Sequence, residues 1–514
     1  GSSGCTILAS IDVNDDSTFQ MDDDGHVQGT LTVSDDATFG VDTLRVWSSG
    51  AFYFATSVDA SVLTYDADGL LEMSGAGDII VDEDFDADGV DSITNLLSGT
   101  LTVGRDSLFD TAAMTINGGT FDFNQTTAPY GSLIFRDDTV IQLISGSLES
   151  ESGFQVAIAD GGPATLDIDG GSVVVGGASA VSLKGVLDFS GGTWTGGTPT
   201  FQSATNYISD DARADFAGTV TVNNGRLEIS VNDEAGTYAI HTPAGLFLAP
   251  YGALVMTAPT GGDDGGLFQV DSGFTLGAHG SLAMSDCNGA RLQAASAVLA
   301  GRTGSEQELS VGDQCEVRIV GGISQFGSWG EYLIDTGGTW VSEGSTSQFV
   351  LGGIVDFDIR GSLSVEGTSS TALQLIFNPS LTVSGDVTVA GTVRQDGGTI
   401  LLDTASSLIT STGADFDLRA GFFTVNAGRV DIFDELLVSG SNATLISDTA
   451  APVDFDIQSG NVHVGPSPAF GTPTLTFSLG SPSTFDVNAA RVFDGGTITM
   501  GSSGTPMAYA FQPA

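Results

Sequence analysis

A five-residue unit recurs along this chain of 514 residues: glycine, a small residue, then alternating apolar and polar positions. It reads GTLTV from Gly29 and Gly99, GTFDF from Gly119, GSVVV from Gly171, GSLSV from Gly361, GDVTV from Gly385 and GTITM from Gly496. Alternation with a period of two describes a β-strand with one buried face. A glycine in front of it permits the backbone angles of a tight turn. One such strand cannot bury its apolar face alone, but many stacked copies can. The steps from Gly99 to Gly119, from Gly252 to Gly280 and from Gly398 to Gly421 set the period between neighbouring units. Short strands at that period predict an all-β parallel β-helix, or β-solenoid.

A longer phrase repeats as well: VDFDIRGSLSV from Val355, ADFDLRAGFFTV from Ala414 and VDFDIQSGNVHV from Val453. It reads as one strand and its corner, reused in coil after coil. Phe357, Phe416 and Phe455 then point inward and stack. Asp356, Asp358, Asp415, Asp417, Asp454 and Asp456 point outward, either as a solvated face or as a ladder of cation ligands. Arg360 and Arg419 occupy the same slot of the phrase, which suits a structural role. Roughly 20 coils, each rising about 4.8 Å, would form a rod of about 100 Å. The alternative architecture is a string of β-sandwich domains, which also show many short strands. Against it, no Pro-rich linker separates domains. The only candidate boundary divides an N-terminal β-rich segment, residues 1–95, from solenoid repeats over 96–514; one continuous solenoid over 1–514 is the other reading.

Charge narrows the partners. Fourteen Lys and Arg against 64 Asp and Glu leave a formal charge of −50, and Lys184 is the only lysine. Duplex nucleic acid and anionic lipid need the opposite sign. Such a charge favours cation binding and high solubility. No apolar run is long enough for a membrane-spanning helix. The chain begins GSSGC, without an initiator Met, as a processed form, a tag scar or part of a longer chain would.

One stretch carries a metal-binding pattern. In VDEDFDADGVDSITNLLSG, Asp84, Asp86 and Asp88 precede Gly89, and Asp91 follows. Oxygens at the first, third and fifth positions with glycine at the sixth are how a Ca2+ loop wraps a hard cation. The stretch resembles the calcium loops of EF-hands and dockerins, departing from them at the twelfth position, where Asn95 stands in place of Glu. Asp-Gly turns also arise from turn chemistry alone.

Of three cysteines, Cys287 and Cys315 are separated by close to one repeat period, so stacked coils could place them side by side as a disulfide. That would imply an oxidising compartment. Cys5 is left over, as a free thiol, a lipidated N-terminus or a link to a second subunit. The four histidines, His26, His241, His279 and His463, show no metal-ligand spacing, and no nucleophile elbow, P-loop or dinucleotide fingerprint stands in its required context. Paired carboxylates are too numerous to point to an active site. Trp194 and Trp340 fall at inward repeat positions, which reads as core rather than sugar platform; Trp47 and Trp329 are less constrained. Sequons occur at Asn124 and Asn442.

With its glycine-anchored repeats in view, the chain resembles the Gly/Thr-rich β-solenoid stretches of secreted bacterial surface proteins, autotransporter passengers and autotransporter-associated repeats among them. The resemblance covers most of the chain from Gly99 onward and implies export, a rod-like form and adhesive or structural duty. The resulting expectation is a non-catalytic extracellular building block of a cell-surface layer or filament, self-assembling through solenoid ends or strand exchange and braced by calcium. The apolar C-terminal GTPMAYAFQPA would supply a strand for exchange. The alternatives are a carbohydrate-binding adhesin or tail-spike-like protein, and a polysaccharide lyase or hydrolase of the kind found among parallel β-helices.

Overall fold

The computed structural model describes side chains chiefly across residues 93–430, apart from short connecting segments, and beyond that range the backbone of strands from Cys5–Ile7 to Tyr509–Phe511. Every strand pairing described is parallel and joins one coil to the next, so the chain is a parallel β-solenoid and the β-sandwich alternative falls away. The described coils make about 11 turns, fewer than the roughly 20 expected. Coil length varies within the expected period, from 20 residues between Ile93 and its partner Ala113 to 28 between Ala253 and Ser281. At the expected boundary near residue 95, Ile93–Leu96 pairs with Leu70–Met73 on one side and Ala113–Ile116 on the other.

Two compact units divide the chain, residues 1–245 and 246–514. Within each, a coil has three strands, which define faces A, B and C in chain order. In the first unit, Ile93, Ala113, Val140, Thr165 and Val186 follow one another up face A. In the second, Phe357, Leu381, Ile400 and Phe423 do the same on its own face A. Alternate residues point inward: the strand Val355–Ile359 buries Val355, Phe357 and Ile359, and leaves Asp356 exposed. Inward side chains stack as ladders and form the core. Phe326 lies 4.7–5.3 Å, ring centre to ring centre, from Tyr332, Trp340, Phe349 and Phe357. Such aromatic contacts add about 0.5–1.5 kcal/mol each beyond simple burial.

Glycines line the corner between faces A and B. In the second unit Gly338, Gly361 and Gly385 follow one another there. A methyl group on Gly385 would collide with Gly361 O and stand 2.5 Å from Arg360 O, both backbone atoms of the coil below. Those coils are tied at the same corner by Ser362 N–H to Gly338 O and Asp386 N–H to Gly361 O, each 3.0 Å. In the first unit Gly119, Gly146, Gly171 and Gly192 form an equivalent column. The glycine in front of each strand therefore serves close coil-to-coil approach as much as turn geometry.

The three copies of the longer phrase occupy three different faces. Phe357 is on face A. Phe416 pairs with Val393 on face C, and Phe455 with Val430 on face B. Phe357 and Phe416 are buried as expected, but the three phenylalanines do not form one stack. The register of these strands shows why: neither the interval from Val355 to Ala414 nor that from Ala414 to Val453 is a whole number of coils. What recurs is a strand solution usable on any face. The C-terminal segment, expected to be free for strand exchange, contributes Tyr509–Phe511, which pairs with Phe485–Val487 of its own chain.

Candidate functional site

Asp86 and Asp88 fall on the strand Phe85–Asp88, whose backbone runs parallel to Ser107–Asp110. Asp84 and Asp91 lie outside the described residues, as do the side chains of all four. Among the described residues no group of three or more His, Cys, Asp or Glu has the geometry to hold a metal ion.

The described acids are organised by the coil repeat. On face A of the first unit, Asp167 and Asp188 stand directly opposite each other in adjacent coils. Burial, then the nearby negative charge of Asp169 and Asp188, pushes the Asp167 carboxyl up. Asp188 is raised by burial and by Asp169 and Asp210. Gln142 Nε2 lies 3.5 Å from carboxylate oxygens of both Asp167 and Asp169, and Ser190 Oγ donates to Asp169 at 3.1 Å. One coil beyond, Asn232 Nδ2 donates to Asp211 at 3.0 Å.

In the second unit the acids meet arginines. Arg360 holds Asp358, two positions before it, at 2.9 Å and reaches Asp335 of the coil below at 3.9 Å. Arg419 repeats the pattern with Asp417 at 2.6 Å and Asp396 at 3.9 Å. Arg318 bonds Glu316 at 2.7 Å and Glu343 of the next coil at 2.6 Å, which keeps its guanidinium firmly protonated. The expected structural role of Arg360 and Arg419 is thus visible as a stitch within a coil and between coils. Each exposed pair contributes about 0–1 kcal/mol.

Of the aspartates expected to face outward, Asp356 is exposed and Asp358 and Asp415 are half-buried. Asp417 is the exception, with 6% of its surface accessible. It is held by Arg419 at 2.6 Å and stands in register opposite Arg394 of the coil below. Asp454 and Asp456 lie on the strand Val453–Ile457, their side chains outside the described residues.

Cys287 and Cys315 form a disulfide across the corner between faces A and B of consecutive coils, with Cα atoms 5.0 Å apart. Trp194 and Trp340 are core residues, as their repeat positions required. Trp340 Nε1 donates to Ser324 Oγ at 3.3 Å, whereas Trp194 Nε1 is buried with no hydrogen-bond partner. Trp47, Trp329 and Asn124 lie outside the described residues. His241 Nδ1 sits 2.7 Å from Asp215 of the coil below, a contact that sequence spacing did not reveal. Burial among aromatic rings pushes the Tyr332 phenol well up.

Among the described residues no helix is long and apolar enough to cross a membrane. No protein-family model matches the chain, and no curated protein matches it.

Proposed function

We propose that this protein is a non-catalytic, extracellular structural element that assembles with copies of itself, at a cell surface or in a filament, with divalent cations, Ca2+ first among them, offsetting its negative charge. The observation that carries this reading is the uniform parallel pairing of each coil with the next. Wherever a solenoid built this way stops, its last three strands offer backbone N–H and C=O groups on one side. Such edges pair with further chains unless covered. Self-pairing of the Tyr509–Phe511 strand favours joining through ends over exchange of that strand. The cross-coil disulfide supports an oxidising, extracellular setting. A net charge of −50 opposes association of copies, and the opposing Asp167 and Asp188 show where such repulsion is local.

On this reading Asp84, Asp86, Asp88 and Asp91 are the first candidates for Ca2+ ligands. Sedimentation velocity of the full chain in Ca2+, and again after chelation, tests the proposal. Large species that dissociate on chelation support it. A single small species in both conditions rejects assembly and directs attention to neutral and acidic polysaccharides as ligands or substrates.

A further inference from the structure

The corner between faces A and B of the second unit changes character where the disulfide lies. Thr339 N–H donates to Cys315 O at 2.9 Å and Glu316 N–H to Ala290 O at 3.1 Å, the same bond that Ser362 N–H makes to Gly338 O. Ala290 and Cys315 therefore occupy the positions that Gly338, Gly361 and Gly385 hold in the coils above. The corner is also longest here. It shortens from residues 286–290 through 312–315 and 335–338 to 360–361 and 384–385. Three of its non-glycine residues are left-handed: Asp286 and Asn288 at φ 48° and Gln314 at 54°. Asn and Asp visit that region more readily than other side chains, but Gln does so at a cost, and such conformations persist only where the surroundings enforce them. Backbone bonds link the coils at this corner, from Cys287 N–H to Asp313 O at 3.2 Å, Gly289 N–H to Gln314 O at 2.9 Å and Gln314 N–H to Gly337 O at 3.2 Å. The disulfide crosses the same gap as the first two.

We infer that the Cys287–Cys315 bond is a redox-controlled latch on this corner. Oxidised, it keeps the two coils closed; reduced, it lets them open locally while the glycine-cornered coils above stay shut. Neither sulfur is reachable in the closed state, since Cys287 is 0% and Cys315 1% accessible. The corner itself faces solvent. Gly289, two positions on from Cys287, is exposed, and among the described residues nothing lies within 4 Å of where a side chain on it would begin. A local fluctuation of the corner thus admits a small-molecule thiol. Its thiolate attacks one sulfur, forms a mixed disulfide and releases the other cysteine as a thiolate; a second thiol then frees the first. One protein disulfide and two small thiols are consumed, and two cysteine thiols and one small disulfide are formed. Once cut, the corner has lost the cross-link that enforces its left-handed residues, and Ala290 and Cys315 carry the Cβ atoms that the glycine column lacks. In a solenoid each coil contacts only its neighbours, so the opening stays local. Thiol reduction then exposes one level of the second unit to proteases without dissolving the rest of it. The latch does not depend on whether copies of the chain assemble.

The test is hydrogen exchange of the full chain before and after dithiothreitol in native buffer, with cysteine alkylation and mass spectrometry to follow the bond. Reduction should proceed without denaturant and speed exchange at the amides of Cys287, Gly289 and Gln314 about tenfold or more, while Ser362 and Asp386 keep their protection. Reoxidation should restore the original rates. Cys287→Ser with Cys315→Ser should exchange like the reduced chain and be indifferent to dithiothreitol. A bond that resists dithiothreitol until denaturant unfolds the coils would overturn the latch. Unchanged exchange at the three amides after reduction would overturn it too, as would an equal loss of protection at Ser362 and Asp386.

Discussion

Adding one methyl group at Gly385 tests the glycine column directly. Its Cβ would overlap Gly361 O and lie 2.5 Å from Arg360 O, and both are backbone atoms that cannot rotate away. To make room, the coils must part where Asp386 N–H meets Gly361 O at 3.0 Å. Losing that bond costs about 1 kcal/mol, and forcing atoms into a packed site costs about 1–3 kcal/mol. Gly385→Ala should therefore destabilise the surrounding coils by about 2–4 kcal/mol. Gly352 provides the control: a methyl there meets only Phe326 O at 3.6 Å, an ordinary contact. Gly352→Ala should be neutral, or stabilise by up to about 1 kcal/mol through loss of unfolded-state freedom. A solenoid need not unfold in one step, so the suitable assay is native-state hydrogen exchange of the strands Ser362–Val365 and Asp386–Val389. Equal protection in the two variants would refute the claim that backbone proximity, rather than turn geometry, fixes glycine at this corner.

The two buried tryptophans should respond differently to Phe. Trp340→Phe removes a hydrogen bond to Ser324 and should cost about 1 kcal/mol more than Trp194→Phe, which removes an unpartnered N–H, as read from exchange of their flanking strands. Cys287→Ser with Cys315→Ser opens the loop that the disulfide closes and should destabilise the neighbouring coils by at most about 3–4 kcal/mol, visible as faster proteolysis there than elsewhere. Asp188→Asn should raise stability at neutral pH by a few tenths to about 1 kcal/mol, because it removes a charge directly opposite Asp167. The folded-state pKa of Asp188 is raised, so the folded protein binds its proton more tightly, and stability falls as pH rises through that pKa. The advantage of D188N should accordingly vanish in melts taken below the ordinary aspartate value of 3.8.

The alternating pattern made the strands and their buried side legible, because inward and outward residues differ in polarity by simple period. Phe357, Phe416, Trp194 and Trp340 were placed in the core on that basis alone. The cross-coil disulfide was legible too, since its spacing matches one coil. Face assignment was not. The phrase around Phe357, Phe416 and Phe455 has the same local pattern on every face, and coil length varies with corner insertions, so spacing alone cannot say which copies stack. That Asp417 stands opposite Arg394, one whole coil earlier in the chain, is revealed only by the register.

Electron microscopy of the full chain in Ca2+, repeated after chelation, tests the assembly account most directly. The account predicts linear polymers in Ca2+ that shorten or disperse once the cation is removed. Discrete particles of a single size, unchanged by Ca2+, salt or chelator, would contradict it.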